Sequence, residues 1–179
     1  MTTHEPRGRL YDRRSQAEGG AQMAVPDVLV RAVTAAKAGD AETVRRLIDW
    51  PLSGAAVMLG PLLAIDERDR AANSARGFAE LDGAADDPTM VAHVLAEQAE
   101  FLVPAQDIQV ADDGERAEVL GALQIPPVPP GLTPDQMERV EQLRIRAARL
   151  SEVYVVVGPA GRQPYAIAPD TGLLVLVLD

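Results

Sequence analysis

The sequence predicts an α+β fold, with N-terminal helices packed on one face of a mostly antiparallel sheet of about five strands. Three observations carry that expectation. Apolar residues recur at helical spacing through the N-terminal half. The period shortens to alternation at Ile108 and Val110. The chain then closes on three apolar runs, "EVYVVV", "QPYAIA" and "GLLVLVL", separated by the turn-rich "GPAGR" and "PDTG". Helices first and strands after is the pattern of layers that segregate, rather than of parallel βαβ units.

Residues 1–22, "MTTHEPRGRLYDRRSQAEGGAQ", are polar and aperiodic, with four arginines against three acids. That composition predicts a disordered tail. Its "EGG" resembles a purine-rich ribosome-binding site read through as protein, so Met23 is expected to be the native start. Residues 23–179 are then expected to form a single domain, a usual size for one hydrophobic core.

In the body, Pro26 and Asp27 suit a helix start, and Val28, Leu29, Ala32, Val33 and Ala36 form an apolar stripe. Gly39 can end that helix at positive φ and Asp40 can cap the next, in which Val44, Leu47 and Ile48 repeat. Asp49-Trp50-Pro51 is expected to end it, because a residue before proline avoids the helical region. Residues 52–76 predict one or two further helices broken near Gly60-Pro61, with "DERDRAANSAR" as a solvated face. "LDGAADDPT" reads as an acidic loop, from which Pro88 opens a helix that Pro104 stops.

The period then changes. "DIQVADDGERAEVL" predicts a β-hairpin turning at Asp-Asp-Gly, and "IPPVPPG" an extended connector. "TPDQMERVEQLRIRAARL" is a helix with Thr133 and Gln136 as its capping box. Met137, Val140, Leu143, Ala147 and Leu150 form one seam, and Arg146 and Arg149 complement the C-terminal dipole. The three closing runs predict a meander. Its last strand, Leu173 to Leu178, lacks polar alternation, so it must be central or covered by helices.

Net charge is −10, which argues against nucleic acid as a partner, because phosphate binding needs clustered lysine and arginine. Plain solubility is the ordinary meaning of such a charge, and a basic protein partner steered by this field is the sharper one. The absence of cysteine excludes disulfides, thiolate catalysis and thiolate metal sites. Aromatics are 3% of the chain, too few for a base-stacking platform. The N-terminus has no apolar core of a signal peptide, and the longest apolar run, residues 51–65, is interrupted at Gly60-Pro61. No membrane span is expected, and the cytoplasm is the expected location.

"AAKAGDAETVRRLID" resembles one ankyrin unit, yet nothing else in the chain supplies the neighbours that such a unit must stack on. The same stretch, with "IQVADDGERAEVLG" and "YVVVGPAGRQPYAIAPDTG", resembles the NTF2-like, or cystatin-like, α+β families. The resemblance implies a curved antiparallel sheet wrapped round a pocket, in families of isomerases, dehydratases, ligand carriers and interaction domains. The helix from Thr133 to Leu150 splits the sheet where that pattern is continuous, and no Trp-centred closing strand is present.

No residue set completes a catalytic, cofactor or metal site. His93 and Glu97 lie one helical turn apart, but two donors do not make a metal centre. "LDGAADDPT" lacks calcium-loop spacing, "GPAG" lacks the lysine and helix of a phosphate loop, and "PPVPP" has no arginine beside it. Ser15, Ser53, Ser74 and Ser151 have no nucleophile context. Trp50, Tyr154 and Tyr165 are the rings to inspect for a pocket, with core packing as their ordinary role.

Three functions fit. The first is a domain that binds protein, or dimerises through its sheet or the Thr133 helix. The second is an NTF2-like enzyme or carrier, which requires a cavity of at least about 300 Å³ between sheet and helices. The third is an acidic inhibitor or immunity-type protein, which requires Asp82, Asp86, Asp87, Asp112, Asp113 and Glu115 to share one face.

Overall fold

The computed structural model describes residues 24–59, 86–125 and 132–178. The expected tail, the "DERDRAANSAR" segment and most of the Pro-rich connector lie outside them. The described elements are α1 (Asp27–Lys37), α2 (Ala41–Arg46), α3 (Trp50–Leu59), α4 (Pro88–Leu102), β1 (Asp107–Val110), α5 (Asp113–Ala122), α6 (Pro134–Ala148), β2 (Val153–Gly158), β3 (Gly161–Ile167) and β4 (Leu174–Val175). They make an α+β domain.

The opening hairpin forms as its residues dictate. Gly39 takes φ +73°, and Asp40 caps α2 by accepting from Thr43 N–H at 3.0 Å and Thr43 Oγ1 at 2.6 Å. The helix ends at Arg46, earlier than the Asp49-Trp50-Pro51 boundary expected. Trp50-Pro51 opens α3 instead: Pro51 sits in the first turn, where a missing N–H costs nothing. Asp49 caps that turn, accepting from Leu52 N–H at 3.2 Å.

The sheet is antiparallel in the order β1-β2-β3-β4. It has four strands rather than five, because "DDGERAEVL" is helix α5 and not the second arm of a hairpin. Asp112 accepts from Glu115 N–H while Glu115 accepts from Asp112 N–H, a reciprocal capping box. That box outweighs the turn propensity of Asp-Asp-Gly. The "GPAG" stretch is the expected hairpin turn, with Gly158 paired to Gly161.

Of the N-terminal helices, α1, α2 and α4 cover one face of the sheet, as expected. Leu29, Val44, Val94 and Leu102 pack there with Tyr154, Val156, Tyr165, Leu174 and Leu176. The opposite face is covered too. Val153, Val155, Ala166 and Val175 meet Leu52 of α3, Val119 of α5, and Val140, Leu143 and Ala147 of α6. Burial on both faces accounts for the unbroken apolar run in β2. The α6 seam forms as read, except that Met137 stays exposed.

The closing strand is not central. It is the last strand of the sheet, and its ladder covers only Leu174 and Val175. It is nonetheless sheltered. Its outer side is taken by the link between α2 and α3, where Leu174 N–H donates to Leu47 C=O and Asp49 N–H donates to Leu174 C=O, each at 2.8 Å. Leu176 N–H then donates to Ser53 Oγ at 3.0 Å. Leu174, Val175 and Leu176 are all buried.

Candidate binding groove

Backbone edges bound the sheet at β1 and, past the short β4 ladder, at β3. Ala111 N–H donates to Val153 C=O, so odd-numbered β1 positions bond towards β2 and the backbone N–H of Ile108 points outward. The Ile108 N–H is taken by Asp107 Oδ1 at 2.9 Å. On β3, Ala168 N–H donates to Leu173 C=O, so even-numbered positions face the β4 side. Beyond Ala166 that ladder stops, and Pro164 has no N–H to continue it. Each edge has thus lost a donor, which blunts pairing with another strand.

Where the β3–β4 ladder stops, a groove of about 400 Å³ opens between α5 and the sheet. Its floor is Val119 and Ala122 of α5, Val155 of β2, Pro164 of β3 and Val177. Its rim is charged: Glu115, Glu118 and Arg162. Arg162 is held by Glu115, its Nε and Nη2 donating at 2.9 and 3.0 Å, and it also donates to Gln109 Oε1 at 3.3 Å. Glu118 is exposed and has no ion-pair or hydrogen-bond partner among the described residues.

A larger trough of about 670 Å³ separates α2 from α4. Its α4 wall is largely small, with Ala92, Ala96 and Ala99, and its rim groups Glu42, Arg45 and Asp86 are paired with one another. It offers volume without chemistry to select an occupant.

No family model, curated protein or solved structure matches the chain.

The rings singled out in the sequence come together, but in the core. Tyr154 and Tyr165 are direct cross-strand partners, and Trp50 joins the same apolar cluster. Trp50 Nε1 donates to Arg45 C=O at 3.0 Å. Tyr165 Oη donates to Gln98 Oε1 at 2.7 Å, and burial pushes its phenol above the ordinary range. None of the three lines the groove. His93 is exposed on α4, Glu97 is half-buried, and among the described residues no cluster of three ligating side chains occurs. Ser53 is buried and serves as an acceptor for Leu176, while Ser151 is exposed. Ser15 and Ser74 lie outside the described residues.

The acidic residues divide between the two layers. Asp87 caps α4, and Asp86 pairs with Arg45 on the same layer. Asp112 caps α5, Asp113 pairs with Arg116, and Glu115 pairs with Arg162 on the other. Asp82 lies outside the described residues. In a strand, alternation would set Glu118 on the face opposite Glu115 and Val119, whereas on α5 all three line the groove. The available signal was Asp112 followed three residues later by Glu115, a helix-start signature.

Proposed function

We propose that the protein acts by binding another protein, and that the groove between α5 and β3 receives a segment of that partner. The observation that supports this is the pairing of an apolar floor with a charged rim, the arrangement that recognition surfaces use to combine desolvation with orientation. The buried polar side chains work differently. Asp49, Ser53 and Gln98 each hold a hydrogen bond that joins two parts of the fold. The cytoplasm is the setting that this reading assumes; no described helix is long and apolar enough to cross a membrane.

Site-specific photocrosslinking in living cells tests the reading. A photoreactive residue at Ala122, on the groove, is expected to give a discrete adduct that Val177→Glu abolishes. The same residue at Arg31, an exposed position of α1, is expected to give none. Equal adducts from both positions, or an adduct indifferent to Val177→Glu, would remove the groove from consideration.

A second reading, a small-molecule carrier of the NTF2-like kind, is favoured by the volume, since about 400 Å³ exceeds the lower bound for ligand pockets. The rim speaks less for it, because Glu115 and Arg162 satisfy each other rather than converge on a ligand. The acidic-inhibitor reading asks for one acidic face, whereas the described carboxylates of that set are spread over two layers and engaged in caps and pairs.

A further inference from the structure

We infer that the segment received by the α5–β3 groove carries a cationic side chain next to an apolar one, with the cation seated against Glu118. The inference rests on the binding reading above and names the chemistry of the partner.

Charge complementarity leads to it. Among the described residues three ionised groups border the groove, and two of them, Glu115 and Arg162, neutralise each other at 2.7 Å. Arg116, on the same helix, is engaged by Asp113. The remaining rim charge is Glu118, which is anionic and unpartnered among the described residues. An acidic segment would meet that charge without a free cation to offset it, while a basic segment gains a partner. The net charge of −10 acts in the same direction at longer range.

Shape narrows the partner further. The volume lies near the small end of ligand sites, roughly 300–1,000 Å³, which suits one or two side chains rather than a whole helix. Val119, Val155, Pro164 and Val177 supply an apolar seat. Pro164 withholds the donor that an added strand would need, so recognition runs through side chains and not through a continued ladder. An arginine or lysine flanked by leucine, isoleucine or valine satisfies both demands: its aliphatic stem lies over the apolar floor while the charge reaches the rim.

The test uses the full chain, isotope-labelled, titrated with three blocked pentapeptides of sequence Gly-Leu-Xaa-Leu-Gly in which Xaa is arginine, glutamine or glutamate. The arginine peptide is expected to move the amide resonances of Val119, Ala122 and Val177, and to bind about two- to fivefold more tightly than the glutamine peptide. The glutamate peptide should be the weakest. Glu118→Gln should erase the ranking while leaving the melting temperature unchanged. Equal binding of all three peptides at the groove overturns the cationic partner and leaves the binding reading standing. If no peptide perturbs the groove and Ala122 gives no adduct in cells, both fall. A matched titration with hexylamine separates the remaining case: saturation as tight as that of the arginine peptide would assign the groove to a small amine and overturn the peptide.

Discussion

Asp49 and Arg146, 97 positions apart in the chain, form an ion pair in which the carboxylate is only 3% exposed. Arg146 reaches from the last turn of α6, where the sequence placed it as a partner of the helix dipole. It bridges Asp49 at the start of α3 and Asp170 in the β3–β4 turn, and Thr171 Oγ1 donates to Asp49 at 3.1 Å. Burial disfavours the guanidinium charge, but the hydrogen bonds to Asp170 and Asp49 outweigh it and hold Arg146 above its ordinary value. Removing the arginine strands a buried carboxylate. Arg146→Met is therefore expected to cost about 3 kcal/mol in urea unfolding, the low end for broken buried pairs because Arg146 is partly exposed. A loss below about 1 kcal/mol would mean that water replaces the pair.

The Tyr165–Gln98 hydrogen bond ties β3 to α4 inside the core. Tyr165→Phe leaves the Gln98 carbonyl without that donor and is expected to cost about 1–3 kcal/mol. The phenol is raised from its ordinary value of 10.0, by burial first and by the charge of Glu97 second. A group raised in the folded state contributes stability that is full below its ordinary value and lost as pH climbs above it. The wild type should accordingly weaken above about pH 10, and Tyr165→Phe should flatten that decline. Thermal melts across the alkaline range decide it; parallel curves would count against Tyr165 as the cause.

At the acid end the sign reverses. The hydrogen bond from Arg146 holds the Asp170 carboxyl below its ordinary value of 3.8. Its contribution is present above that value and fades as pH falls below it. Asp170 is 39% exposed, so solvent screening limits the effect to less than about 1 kcal/mol. Asp170→Asn is expected to reduce the slope of stability against pH below about pH 4, with little change near neutrality. Urea midpoints measured along that range provide the check.

Blunted edges imply what their repair would do. Pro164→Val restores an N–H to the open side of β3, and Asp107→Ala releases the Ile108 N–H on β1. The double variant is expected to self-associate with rising concentration in sedimentation velocity, at concentrations where the wild type does not change. A double variant that sediments like the wild type throughout would show that these two residues are not what protects the edges. It would also reopen dimerisation through the sheet as a matter of shape rather than of missing donors.

Gly158 closes β2 against the turn after α4. A Cβ there would lie 2.9 Å from the Pro104 carbonyl oxygen and 3.3 Å from its carbon, and backbone has no rotamer with which to retreat. Gly158→Ala should destabilise by about 1–3 kcal/mol in urea unfolding. Gly121→Ala, where nothing lies within 4 Å, serves as the control and should be neutral or slightly stabilising.

The elements most legible in the sequence are those whose signals are local. Gly39-Asp40 marks the turn of the first hairpin, Thr133 to Gln136 marks the start of α6, and "GPAG" marks the β2–β3 turn. Each works through bonds between residues at most a few positions apart. The misreading of α5 also has a local origin, since Asp-Asp-Gly serves both as a turn and as a capped first turn. Only Glu115, reaching back to Asp112, resolves the ambiguity.

The chain by itself determined that the final apolar run needs shelter, because hydrocarbon on both sides of a strand cannot face water. Only the tertiary structure decided how that shelter is made: by the Leu47–Asp49 link on one side and helices over both faces. The same division holds for the groove. Val119, Pro164 and Val177 are unremarkable singly, and a binding surface arises where a ladder stops and a helix crosses it. Burial requirements are written residue by residue, whereas the positions of distant segments depend on which long-range pairings satisfy them together.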